Sequence, residues 1–210
     1  MQQRGAKWMS WRILTLSVLC LLCACQSAPP RAQLNETEVA AAQRVQAYLN
    51  GIHTLQARFL EIRPDHVVTQ GMVWMQRPGQ LRLIDDPPSR VTLIVAQGEV
   101  VLHDAATDAT TILPLSRTPL SLLLGPSVDL PGSVTVTALN EQNAQIQLTM
   151  VRTDHPDQGS LIVTLSDHPL LLKELSLVDT HGEMTTIRLF NLKTNNPVDS
   201  GLFRVRQQPQ

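Results

Sequence analysis

The chain has 210 residues, with 17 basic and 18 acidic side chains, so its net charge is close to zero at pH 7. That length is enough for one domain with a substantial core, and the lack of a basic run or patch argues against nucleic acid as a partner. Beyond position 25 the aromatic residues are Tyr48, Phe59, Trp74, Phe190 and Phe203, too few for stacking platforms that hold bases or sugars.

The amino terminus reads as a targeting segment. Arg4, Lys7 and Arg12 make it basic, and Ile13 to Leu22 is an apolar run of about ten residues, half of the roughly 20 that a membrane span needs. A charged start, a short apolar stretch and a small-residue cleavage site describe a secretory signal. Leu22 and Ala24 stand at −3 and −1 from Cys25, as in a bacterial lipoprotein signal. The expected organisation is a signal over 1–24, a lipid-bearing Cys25 with a tether over 25–34, and one domain over 35–210. Ordinary cleavage after Ala24 is the competing reading. Cys20, Cys23 and Cys25 are the only cysteines, so the domain is expected to have no disulfide and no thiolate metal site.

Pro29 and Pro30 fall in the tether. Asn35 followed by Glu38 has the form of a capping box, and Val39, Ala42, Val45, Leu49 and Ile52 then recur at helical spacing, predicting a helix over 36–50. From Leu55 the period becomes two. Short segments over 55–61, 68–76, 80–85, 91–96 and 100–103 are separated by turns rich in Pro, Gly and Asp. The same habit resumes over 133–138, 144–152, 160–165, 170–178 and 184–192, with a last strand expected over 202–206. Between the two series, Pro119 opens a Leu-rich run to Leu124, read as a short helix. Connections this short favour antiparallel neighbours, and an antiparallel sheet of that size must curl, close or be covered.

Few residues suggest catalysis. His66, His103, His155 and His168 each stand beside an aspartate, at predicted turns. Neighbours on a strand point to opposite faces, so these pairs are poor metal geometry and read as turn chemistry. No nucleophile elbow, phosphate loop or zinc motif is present, and no enzyme activity, cofactor or metal is expected.

The local order of motifs resembles the LolA family of periplasmic carriers of outer-membrane lipoproteins. The carrying segments are LQARF over 55–59, GMVWMQRPG over 71–79, VTLIVAQG over 91–98, VLHD over 101–104, TPLSLLL over 118–124 and PVDSGLFRV over 197–205. The resemblance implies a mainly β (α+β) fold: an incomplete antiparallel β-barrel round a hydrophobic cavity, covered by helices. It implies that Arg77, the arginine of the Arg-Pro element, ties the lid. It also implies that Leu81 faces the cavity, with Phe59, Trp74, Leu122 and Leu123 as further cargo-cavity residues. The implied partners are lipoprotein acyl chains and the envelope lipoprotein-sorting machinery, with the membrane reached through the lipid on Cys25; a monomer is expected.

Two departures from that family pattern stand out. The scarcity of rings predicts a more aliphatic cavity, and the signal resembles that of LolB, the lipidated acceptor of the same fold. The loop Asp85–Ser89, however, lacks the exposed apolar residue of that acceptor. Gln26 and Ser27 lack the aspartate that marks inner-membrane retention, so the outer membrane is the expected location, with the soluble periplasm as the alternative if Cys25 is unmodified. The competing function is an accessory or structural envelope lipoprotein that binds another lipid or a protein partner.

Overall fold

A computed structural model describes residues 32–204. Helix α1 (Glu36–Asn50) starts on the expected capping box: Glu38 N donates to Asn35 Oδ1 at 3.0 Å and Asn35 N donates to the Glu38 carboxylate at 2.8 Å. Its apolar stripe buries Ala41, Ala42, Val45 and Leu49. The chain then forms β1 (Thr54–Ile62), β2 (Val68–Gln76), β3 (Gln80–Asp85), β4 (Val91–Ala96), β5 (Glu99–Asp104) and β6 (Ala109–Pro114). A single 3-10 turn and helix α2 (Leu120–Leu124) follow. Five more strands complete the sheet: β7 (Val134–Gln142), β8 (Gln145–Arg152), β9 (Ser160–Ser166), β10 (Leu171–Val178) and β11 (Met184–Thr194).

All eleven strands make one antiparallel sheet in the order β6-β5-β4-β3-β2-β1-β11-β10-β9-β8-β7. The chain begins at the centre, meanders to one edge, crosses over by way of α2, and meanders back from the other edge until β11 pairs with β1. Apart from the β6-to-β7 crossover, every step between sequential strands joins paired neighbours, which is why the turn signals in the sequence are so regular. Side chains alternate faces, and the inward rows of both meanders join a single core with α1 and α2.

One close approach fixes a glycine. Phe59 lies opposite Gly71 across β1 and β2. A Cβ on Gly71 would come within 2.7 Å of the Phe59 ring and 2.0 Å of the Ile84 carbonyl, so only glycine lets that ring lie across β2.

Two expectations are corrected. Strand β6 lacks a counterpart in the apolar pattern because all six of its residues are exposed on the sheet edge, leaving no buried face to create alternation. The expected last strand over 202–206 is instead a 3-10 turn, Ser200–Phe203, in its described part. Asp199 accepts from Gly201 N at 2.8 Å and so stabilises the turn, while Phe203 is buried with the turn lying against β3 and β4. Residues 205 and 206 and the predicted signal and Cys25 lie outside the described residues.

Candidate functional site

The inward face is filled at one side and hollow at the other. A cavity of about 460 Å³ opens between the sheet and α2. Its walls are apolar: Leu55, Val73, Met75, Leu81, Leu83, Val91, Leu93, Leu102, Leu175, Leu177, Ile187 and Leu189 from the strands, with Leu120 and Leu123 from α2. The register explains the set. Leu81 pairs with Val95 and Leu83 with Leu93, and Leu93 pairs with Leu102, so two adjacent cross-strand rows turn the same face inward. Leu102 stays 40% exposed at this wall.

The roof is held by polar ties at helix ends. Arg77, in the β2–β3 turn, donates from its Nη1 to the Leu49 carbonyl of α1 at 2.6 Å and from Nε to the Gly125 carbonyl after α2 at 3.1 Å. Helix C-terminal carbonyls lack intrahelical donors and carry partial negative charge, so a cation suits both. Arg77 Nη2 is buried with no partner, and burial pulls the guanidinium pKa below its usual value. Gly79 N adds a bond to the Leu124 carbonyl at 2.8 Å. Asn50 clamps the segment beyond α2 from the other side: its Nδ2 donates to the Val128 carbonyl at 2.9 Å and its Oδ1 accepts from Val128 N at 2.8 Å. Gln46 accepts from Leu130 N at 3.0 Å.

The polar lining gathers at the opposite end of the strands from Arg77. Glu61, Arg63, Asp104 and Thr185 join the wall there. Burial raises the Glu61 pKa above that of an ordinary glutamate; Asp85 adds to the rise, Arg63 opposes it and Asp65 adds further. Asp85 is 6% exposed. Its Oδ2 accepts from Ser89 Oγ at 2.6 Å, while its Oδ1 has no partner.

The sequence-derived residues separate into three groups. Leu81 and Leu123 line the cavity. Phe59 is on the same face of β1 as Leu55 and Glu61 but lies in the core at 1% exposure, outside the cavity lining. Trp74 and Leu122 point elsewhere. Trp74 sits between Val73 and Met75, which face inward, so it occupies the outer face between Gln56 and Arg82. Leu122 lies on the other side of α2, in a groove with Ser121, Gly125 and Val134. Asn50, Leu83, Leu93 and the charged residues of the cavity were not expected. The aspartates beside histidines work in turns, as Asp65 accepting from Val67 N at 3.1 Å and Asp104 from Ala106 N at 2.9 Å illustrate. Among the described residues, no group of three or more His, Cys, Asp or Glu is placed to hold a metal.

A family model described as "Outer membrane lipoprotein carrier protein LolA" matches residues 50–206. The chain belongs to the LolA family. An outer-membrane lipoprotein carrier protein of Methylococcus capsulatus is 26% identical over 180 residues, covering 81% of this chain and 85% of that protein. That of Azotobacter vinelandii is 27% identical over 193 residues, covering 87% and 90%. Among solved structures, a LolA superfamily protein from Nitrosomonas europaea gives a TM-score of 0.43 at 9% identity, over 78% of this chain and 97% of that one. LolA membership makes this a carrier in lipoprotein transport rather than an enzyme, in a family of periplasmic proteins. Among the described residues no helix is long and apolar enough to cross a membrane.

Proposed function

We propose that this LolA-family protein receives the acyl chains of lipoproteins in the cavity beneath α2 and takes part in their transfer to the outer membrane. The observation that carries this reading is a hollow of about 460 Å³ whose strand and helix walls are almost wholly Leu, Val, Ile and Met, within the range of about 300–1,000 Å³ common to ligand clefts. Each buried CH₂ contributes about 0.8 kcal/mol, so a multiply acylated protein does not leave a bilayer without an equivalent apolar enclosure. An aliphatic wall supplies that enclosure without directional bonds, and no bond in the cargo need be made or broken.

Release then requires a roof that opens at modest cost. Arg77 is the gate in this reading: its bonds to Leu49 and Gly125 join both helix ends to the sheet, and a hydrogen bond to a charged group contributes about 1.5–3 kcal/mol. Arg77→Leu is expected to fold and to change the rate of cargo release; transfer at the wild-type rate would remove Arg77 from the gate. Cys25 is the lipid-bearing residue, and the tether enters the described structure at Ala32, whose N–H donates to the Val136 carbonyl on the edge strand β7 at 3.0 Å. Anchored there, the domain would receive or hand over cargo within reach of its tether at the outer membrane. Mass spectrometry of the mature amino terminus and of material co-purified from membranes tests both parts. An acylated Cys25 and bound lipoprotein are the expected results; an unmodified amino terminus would leave a freely diffusing carrier, and an empty cavity would contradict the cargo.

A further inference from the structure

The cavity is apolar except at one end, and the composition of that end is not what an indifferent lipid pocket needs. Glu61 and Asp104 stand in its wall with Arg63, and Asp85 lies on the same face of β3 as Leu81 and Leu83, which line the wall. Three carboxylates and the Arg63 guanidinium therefore gather at this end of the sheet, Asp104 with its oxygens also accepting from Ala106 N and Thr107 Oγ1. Two atoms in this group are buried without partners: Asp85 Oδ1, an acceptor, and Arg63 Nε, a donor. A buried polar atom left unpaired is costly, so a ligand that brings one donor and one acceptor to this end satisfies both. An amide brings one of each. A phosphodiester brings only acceptors and a negative charge, which Glu61, Asp85 and Asp104 repel more than Arg63 alone attracts.

We propose that Glu61, Asp85, Asp104 and Arg63 form a head-group filter at the charged end of the cavity, which takes an acylated peptide amino terminus, rich in amides and free of phosphate, and excludes anionic phospholipids. The inference rests on the acyl-binding reading of the cavity. It adds the property that such a cavity lacks, since acyl chains alone do not distinguish a lipoprotein from the phospholipid around it.

The test is a competition. The full chain is stripped of lipid and offered a synthetic diacylated cysteinyl peptide of zero net charge together with phosphatidylglycerol, and the retained species are quantified by mass spectrometry. Wild-type protein is expected to retain the peptide about tenfold or more over phosphatidylglycerol. Raising the salt from roughly 50 mM to roughly 500 mM should narrow that preference, since screening acts on the charge term alone. The double variant Glu61→Gln with Asp104→Asn, which keeps side-chain shape, should lose most of it, with each single variant intermediate. Equal ratios in wild type and double variant, insensitive to salt, would overturn the filter while leaving the acyl cavity standing. Retention of neither lipid by the wild-type protein, with no binding of a neutral fatty alcohol, would overturn the cavity reading and the filter with it.

Discussion

Two stretches of the inward face use the same residue types and end in opposite states. On β8 and β9, Ile146, Leu148, Met150, Leu161, Val163 and Leu165 have no exposed surface at all. On β4, β5, β10 and β11, Leu93, Leu102, Leu177 and Ile187 keep part of theirs around a hollow. The difference is what lies above each row. Helix α1 is fastened over the first half by Arg44 to Asp167 at 2.9 Å and by Leu172 N to the Tyr48 hydroxyl at 3.0 Å. Over the second, the cavity lining takes Leu120 and Leu123 from the five-residue α2 and no residue from α1. One half of an otherwise uniform sheet is therefore a core, and the other is a container made of the same material.

Truncation should separate the halves most sharply. Leu161→Ala leaves a cavity among close-packed neighbours and is expected to cost about 2–5 kcal/mol in urea unfolding. Leu93→Ala removes atoms that already border empty space and should cost about 1 kcal/mol. Equal losses would mean that the second half is as tightly packed as the first. Enlargement reverses the test. Leu102→Trp, at a 40% exposed position, should fold with a stability change within about 1 kcal/mol and lose lipid uptake, whereas Val163→Trp should overpack the filled half and cost about 1–3 kcal/mol or more.

Roof variants rank next. Asn50→Ala leaves both polar atoms of the Val128 backbone without their partner and should cost about 1–3 kcal/mol. Hydrogen exchange should quicken in α2 and residues 126–130 while β8 and β9 stay protected. Uniform acceleration across the sheet would show that the roof is not a separate opening unit.

Sheet and helices were legible because hairpins repeat a simple code: period-two apolar runs closed by Pro, Gly, Asn or Asp, with Asn35 and Glu38 announcing α1. The edge strand β6 was not, since burial on neither face left its residues unpatterned. The site was legible only in part, for a related reason. Period two gives a face, but the run from Met72 to Met75 is apolar at every position, so alternation alone does not say whether Val73 or Trp74 turns inward. Leu122 and Leu123 pose the same question one helical step apart. The tie at Arg77 was expected only through the resemblance to LolA, since an arginine in an Arg-Pro-Gly turn by itself reads as a solvated charge. Asn50 was not, because an asparagine at a helix end has a local explanation, and its partner Val128 is 78 residues away. The charged end of the cavity depends on cross-strand register that places Glu61 and Asp104 at one end of the sheet, which no single segment reveals.

The smallest expected effect concerns that charged end. Because the Glu61 pKa is raised in the folded protein, its contribution to stability is fully present below the ordinary glutamate range and is lost as pH rises through the folded value. Glu61→Gln should therefore raise the Tm slightly at pH 7 and leave it unchanged in acid. A Tm at pH 7 that falls in the variant would show that the carboxylate is stabilised where it lies.

The contrast between core and container is tested most directly by intermolecular NOEs between a perdeuterated, methyl-labelled protein and a protonated diacylated cysteinyl peptide. The acyl methylenes should give NOEs to the methyl groups of Leu93, Leu102, Leu177 and Ile187 and none to those of Ile146, Leu148 and Leu161. NOEs to the β8 and β9 methyls, or bound peptide with no NOE to the cavity set, would contradict the placement of cargo in the hollow half of the sheet.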